Sequence, residues 1–442
     1  MARRRPHRLG PLLHHPRHLE GEHQVSSESP LYVDVHIVHS TPYANLNRDR
    51  QGAPKTATYG GVVRPRLSSQ HGRRHSRTHM ENALGTRAIR TRGVPLAVAK
   101  RLTDAGWDAD TALSAAQMLI LSADVKGLGI ADGGGTNALL FLPENAFDAL
   151  AEIADAHRDA LTKAADTAAT AIAKAKAKAD AEKTDDGEAD DQEEEAPETG
   201  PLAAALKKVP ADERKAIKEA VLDVLRTRNA SIAAYGRMLA NEGASTVAGA
   251  VQMAHSIATH SGASQIDFFS AVDDLIHDTG EETGAGHMGD QRYTSAAFYR
   301  YATLNIRELV DNLDGDVQTA REVTEAFLRA FPLAIMPAKS SGTAPHTVPH
   351  LIHVSVRTDR PISLVGAYET AIPATASGYI PASLAALDKH AAAHDRMIGT
   401  AHIADQAHVT LTDAEFNALG DNVGSVDQLI TRTLDTITRH TA

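Results

Sequence analysis

Between residues 83 and 228 the sequence is patterned for helices, and on both sides of that block it is patterned for strands and turns. The chain therefore reads as a sheet domain interrupted by a helical insertion. The strand pattern opens at Leu31, where Tyr32, Val33, Val35, Ile37 and Val38 alternate with Asp34 and His36. It resumes after Ser231 with strands predicted at Ala250–His255, Ile257–His260, Ala296–Leu304 and Leu351–Val356. Helices are predicted over 316–331 and Ser383–Met397, and a helix start within Ile362–Ala371. Inside the block the helices are Pro95–Ala105, Asp110–Leu121, one long Ala-rich helix from Ala146 onward and Ala211–Arg226, with a short strand at Leu139–Leu142. Strands interleaved with helices around one insertion give an α+β fold, not a doubly wound sheet.

Charge is segregated along the chain. Residues 180–198 hold eleven acids against Lys183, which is ten of the eleven net negative charges of the whole protein. Such a run repels itself and has no large apolar side chain to bury, so it reads as a disordered linker. From Arg48 to Arg77 the bias reverses: Arg48, Arg50, Lys55, Arg64, Arg66, Arg73, Arg74 and Arg77 face only Asp49. That stretch is a candidate footprint for a polyanion. Residues 1–30 carry five arginines interrupted by Pro6, Pro11 and Pro16 with no apolar run, so a disordered extension is expected and no signal peptide, with a weak RNA-contacting tail as the alternative. With no cysteine, disulfides, thiolate metal sites and a cysteine nucleophile are excluded, which suits a cytoplasmic protein.

The strongest constellation is Arg64-Pro65-Arg66-Leu67-Ser68-Ser69-Gln70-His71-Gly72-Arg73-Arg74-His75-Ser76-Arg77. Ser68 has the character of an N-cap, and a helix N-terminus with free N–H groups attracts phosphate. Residues 70, 73, 74 and 77 share a side by the three-and-four spacing, so Gln70, Arg73 and Arg77 can follow a row of phosphates. A solvated basic helix face explains the same residues. Phe268 and Phe269 are adjacent in a chain with only eight phenylalanines. On a strand they point to opposite sides, giving one exposed ring for base stacking or, alternatively, one core ring and one incidental surface ring. His346, His350 and His353 have helical ligand spacing, but Pro345 and Pro349 break the helix that would align them, so no metal is expected. Gly133-Gly134-Gly135-Thr136 lacks the lysine of a phosphate loop and reads as a turn. Asp273-Asp274 reads as a solvated pair.

Taken together, His36 to Ser40, Leu46-Asn47-Arg48-Asp49, Lys55, Tyr59-Gly60-Gly61, Arg66 to Gln70, Gly236-Arg237-Met238, Ala254 to His260, Ile266 to Asp274 and Phe298 to Ala302 resemble the backbone (CasC-type) subunit of the type I-E CRISPR Cascade surveillance complex. The resemblance implies a palm with a modified RNA-recognition-motif (ferredoxin-like) fold at 31–82, 251–260 and 298–442. It also implies helical fingers at 83–250 and a thumb hairpin at 261–297. Copies would stack along CRISPR RNA and leave its bases free to pair with target DNA, in company with other Cascade subunits and a separate nuclease-helicase, without a cofactor or a membrane. The guide backbone would be held by Arg48, Lys55, Ser68, Gln70, Arg73 and Arg77, with Arg66, Arg74 and Arg237 as further RNA-binding residues. Met238 would lie near a kinked nucleotide, and Phe268 and Phe269 would form a wedge. No catalytic group is expected. The alternative is a metal-dependent ribonuclease related to type III backbone subunits, with Asp34 or Asp49 as nominal carriers; a helical oligomerisation protein without RNA is a third class.

Overall fold

The computed structural model describes residues 29–131, 133–182, 199–238, 243–271, 287–336 and 340–441. The N-terminal extension and the acidic linker fall almost wholly outside these residues, as do Asp273-Asp274 and the tip of the 261–297 hairpin. The described strands are, in chain order, β1 (Tyr32–Ala44), β2 (Thr56–Tyr59), β3 (Val62–Leu67), β4 (Ala88–Thr91), β5 (Leu140–Pro143), β6 (Val251–Met253), β7 (Ser256–Ala258), β8 (Gln265–Ala271), β9 (His287–Asn305), β10 (Leu351–Arg357), β11 (Ile403–Thr410) and β12 (Asp421–Asn422). The chain is α+β and forms two compact units, one made of Thr86–Gly249 with Asn312–Asp314, the other of the remaining described residues.

The second unit is built on a sheet in the order β12-β11-β10-β1-β9-β7-β3-β2, with β6 and β8 also paired to β9. Helix α1 (Ser69–Leu84) packs along helix Val317–Leu333. Followed along the chain, β1, α1, β7, β9, Val317–Leu333 and β10 trace a β-α-β-β-α-β path, and the strands lie in the order β10-β1-β9-β7, the ferredoxin-like arrangement.

Strand β1 is buried on both faces, which changes the meaning of its alternation. Val33, Val35 and Ile37 point to one side and Asp34, His36 and Val38 to the other. The polar set does not face water. Val38 joins Tyr299, Tyr301 and Leu351 in a core closed by Leu384 and Leu387 of helix Ile380–Ile398. Asp34 accepts from the Tyr301 hydroxyl at 2.9 Å and from the Ile362 N–H at 2.8 Å. His36, His353 and His408 stand directly opposite one another across β1, β10 and β11, and all three are buried. The Tyr299 hydroxyl lies 2.8 Å from His36 Nδ1 and accepts the Leu364 N–H. Ile362–Ala371 is not the expected helix. The Ile362 and Leu364 N–H groups are taken by side chains of the sheet, and only one 3-10 turn, Val365–Tyr368, forms.

The helical unit has its own core, in which Val98, Leu102, Trp107, Met118, Leu119, Phe147, Leu150, Ile217 and Val221 are buried. The helix Ala211–Arg226 matches the sequence pattern residue for residue. The long Ala-rich helix is instead two, Ala146–Ala156 and Arg158–Glu182, divided at His157, whose Nδ1 pairs with Glu213 at 3.0 Å. Leu161, Ala164, Ala165 and Ala168 are buried at helical spacing; residues 169–174 are exposed or half-buried.

Candidate nucleic-acid interface

Strand β3 runs into α1 through Ser68, whose extended backbone (φ −71°, ψ 147°) and side chain cap the helix by accepting the His71 N–H. The cap is closed from outside as well. The Ser68 N–H donates to Asn47 Oδ1 and the Ser69 N–H to His255 Nδ1, both at 2.9 Å. Of the donors expected to be free at this helix end, the N–H groups of Ser69 and His71 have partners in the chain, and Ser68 itself is buried.

Around this junction lie the cations. Residues 45–55 form a tight turn in which Asp49 Oδ1 accepts the N–H groups of Gln51 and Ala53, and Asn45 donates to the Gly52 carbonyl. The turn holds exposed Arg48 at one end and half-buried Lys55 at the other, where Lys55 exchanges backbone bonds with Asn47 and Arg66. The Arg66 guanidinium reaches the Thr56 carbonyl and stands 3.2 Å from His255 Nδ1. Among the described residues, no ion pair engages Arg48, Lys55, Arg66 or Arg74. Their field is felt by the neighbouring imidazoles. Burial, then His75 and the cations Arg300, Lys55 and Arg74, push His71 down to about 4; burial, then Arg66 and Lys55, lower His255.

The arginines of helix α1 meet different partners. Arg73 donates to the Val251 carbonyl of β6 at 3.0 Å, and Arg77 forms a 2.8 Å ion pair with buried Glu81. Gln70 and Arg74 are exposed, one turn apart. Residues 70, 73, 74 and 77 keep the common side that their spacing gives on a helix, but packing against β6 engages Arg73 and Glu81 engages Arg77. Arg64 is also withdrawn from the basic stretch: its buried guanidinium donates to the carbonyls of Tyr59, Ala258, Thr259 and Glu369.

In the hairpin of β8 and β9, Phe268 pairs with Asp290 and Phe269 with Gly289. Phe268 is 66% exposed and shares its face with exposed Ile266 and Met288. Phe269 is half-buried against Gly289. The two rings point to opposite sides, as their spacing on a strand requires.

In the helical unit, Gly236 (φ 77°) crosses so close to Gly249 that a Cβ on it would lie 2.8 Å from the Gly249 nitrogen. Arg237 follows, and it is not a surface cation. Its buried guanidinium donates to the carbonyls of Ser245, Thr227 and Arg226 at 2.7, 2.8 and 3.1 Å, and burial followed by Arg228 lowers it to about 10. The expectation that Arg237 touches RNA is corrected to a structural role: it ties the loop that displays Met238. Met238 is 83% exposed, at the rim of an open cleft of about 530 Å³ lined by Arg90, Leu139, Phe141, Tyr235 and Val247.

The other candidates resolve into structure. His353 lies buried in β10 with Nδ1 at the Ala407 carbonyl, His350 is half-buried and His346 exposed. Among the described residues no group of three or more His, Asp or Glu side chains is arranged to hold a metal ion. Residues 133–136 form a turn in which Thr136 donates to the Arg92 carbonyl. Asp34 is fully buried, and Asp49 is exposed with its Oδ1 bound into its own turn. No helix among the described residues is long and apolar enough to cross a membrane.

Comparison with known proteins places this geometry. No curated protein matches the sequence. A chain of the solved structure "CRISPR RNA-guided surveillance complex, pre-nicking" is 34% identical, with a TM-score of 0.73 over 91% of this chain and 99% of that one. A chain of a second "CRISPR RNA-guided surveillance complex" is 31% identical, with a TM-score of 0.66 and the same coverage. Residues 33–432 match the CT1975-like protein family, from the first buried valine of β1 to the arginine that pairs with Asp405. The chain belongs to the CT1975-like protein family.

Proposed function

We propose that this protein is a CRISPR RNA-binding backbone subunit of a type I-E Cascade complex. The observation that carries the reading is the cluster of Arg48, Lys55, Arg66 and Arg74 around the β3–α1 junction, four cations that no carboxylate of the described chain neutralises, on a fold shared with chains of RNA-guided surveillance complexes. Such a surface binds phosphates and leaves base edges unread, which suits a guide whose sequence is read by pairing. On this reading the sheet unit is an RNA-recognition-motif-like palm, the helical unit the fingers and the β8–β9 hairpin the thumb. Copies stack along one CRISPR RNA, and with Met238 and the hairpin aromatics they kink it at intervals and present its bases to target DNA. Other Cascade subunits complete the assembly, and a separate nuclease-helicase cuts. The chain itself performs no chemistry.

A gel shift with CRISPR RNA, with and without magnesium, tests the reading. Binding without cleavage is expected. Cleavage that requires magnesium favours a ribonuclease, and absence of binding sinks the RNA role altogether.

A further inference from the structure

His255 occupies the turn between β6 and β7, beside Arg66 and Lys55 of the cation cluster. Its Nδ1 accepts the Ser69 N–H at 2.9 Å and stands 3.2 Å from the Arg66 guanidinium. Both neighbours are donors, so Nδ1 carries the lone pair and the ring proton is on Nε2. The residue is exposed, and Nε2 stands across the imidazole ring from Nδ1, so its N–H is directed away from the Ser69 N–H that Nδ1 accepts. The end of α1 therefore fixes a tautomer that turns one neutral N–H donor outward beside Arg66 and Lys55. Burial and those same two cations keep the ring unprotonated.

We infer that His255 is a further contact to the nucleic-acid backbone, its Nε2–H donating to a phosphate oxygen of the strand that Arg66 and Lys55 attract. The inference rests on the RNA-binding reading above. It assigns His255 a role that charge counting misses, because a neutral donor adds a directional bond without displacing a counterion. Affinity and salt dependence are thereby separable: loss of the donor weakens binding, whereas only loss of a cation flattens the dependence on salt.

The test compares full-length wild type with His255→Asn, His255→Gln and Arg66→Ala, each titrated against a labelled single-stranded RNA over a salt series and each melted without RNA. Asparagine places Oδ1 near the position of Nδ1, keeping the acceptor for Ser69 and removing the outward donor. Glutamine keeps a donor near the position of Nε2 and gives up the acceptor. The Asn variant is expected to bind about tenfold more weakly, with the wild-type salt slope and melting temperature. The Gln variant is expected to bind more tightly than the Asn variant and melt earlier. Arg66→Ala lowers the log-log slope by roughly 0.7. An Asn variant that binds like wild type overturns the proposal and leaves His255 a helix cap. An Asn variant whose slope flattens as in Arg66→Ala also overturns it, since His255 then acts through Arg66. Both outcomes leave the RNA-binding function standing; a wild-type chain that binds no RNA removes function and inference together.

Discussion

Phe269 packs so closely on Gly289, its partner in strand register, that a Cβ on the glycine would stand 2.8 Å from the tip of the ring. Its neighbour Phe268 has no such seat and projects into solvent. Replacing Phe269 with Ala is expected to lower the melting temperature. Phe268→Ala is expected to leave stability within about 0.5 kcal/mol and to weaken target-strand pairing by roughly 1 to 3 kcal/mol, the range for a lost base stack. Melting and target affinity measured on both single variants decide this. Equal destabilisation by the two substitutions makes Phe268 a structural ring and ends the stacking assignment.

Arg74 and Arg77 sit one turn apart or less on α1, yet opposite outcomes are expected for their removal. Arg74→Ala weakens RNA binding equally for all guide sequences, reduces the salt slope by roughly 0.7 and leaves the fold unchanged. Arg77→Ala takes the cation from Glu81, whose side chain is 5% exposed, and destabilises the subunit by about 1 to 3 kcal/mol, discounted from a fully buried pair because Arg77 keeps 21% of its surface. Thermal melts beside salt-dependent binding curves separate them. A change in preferred guide sequence on Arg74→Ala would contradict a phosphate contact.

Gly60 turns β2 into β3 at φ 57°, and a Cβ there would lie 1.7 Å from the Glu369 carbonyl oxygen, the same atom to which Arg64 donates at 2.8 Å. Gly60→Ala carries a left-handed backbone cost of about 1 to 2 kcal/mol. Overpacking adds about 1 to 3 kcal/mol more. Denaturant unfolding is expected to show the combined loss, while Gly61→Ala, at φ 77° with open space around it, shows only the conformational part. Equal losses at the two positions would mean that the 359–379 segment yields freely.

The buried imidazoles make the subunit sensitive to acid. Burial holds His36 well below its ordinary value, His353 at about 4 and His39 at about 3. Groups depressed by folding give stability above about pH 6.5 that is lost as pH falls through their folded values. Asp34, which burial raises to about 6, acts in the opposite sense: its contribution is present below about pH 4 and lost as pH rises through 6. Three histidines outweigh one aspartate, so the melting temperature is expected to fall from pH 6.5 to 4. His353→Leu makes that decline shallower and Asp34→Asn makes it steeper. A shallower acid limb in Asp34→Asn would reverse the sign assigned to Asp34.

Local signals in the sequence carry their own elements. Ser68 and Gly85 start and stop α1 from within the chain segment they bound, and the period-two placement of Phe268 and Phe269 sends one ring outward. What the sequence hides is which partner a side chain meets from afar. The three-and-four spacing groups Arg73 with Gln70, but only the fold brings Val251, 178 residues away, to its guanidinium. Asp34 and His36 look like the wet side of a strand until Ile362, 328 residues from Asp34, closes over them. His255 stays inconspicuous for the same reason, since its meaning depends on Ser69, 186 residues earlier.

Strand β9 runs through 19 residues without interruption, pairing with β8 from His287 to Tyr293 and with β1 from Thr294 to Asn305. Where one pairing hands over to the other, Tyr43 stacks on buried Tyr293 with ring centroids 4.6 Å apart. The hairpin is consequently a cantilever fixed in the sheet. A load on Phe268 passes to Asp290, its register partner in β9, and along that strand into the β1 ladder that begins at Thr294. Tyr43 and Tyr293 form the bracket at its root, so loosening that bracket would change the stiffness with which Phe268 presses on whatever it meets, at a site where neither tyrosine touches it.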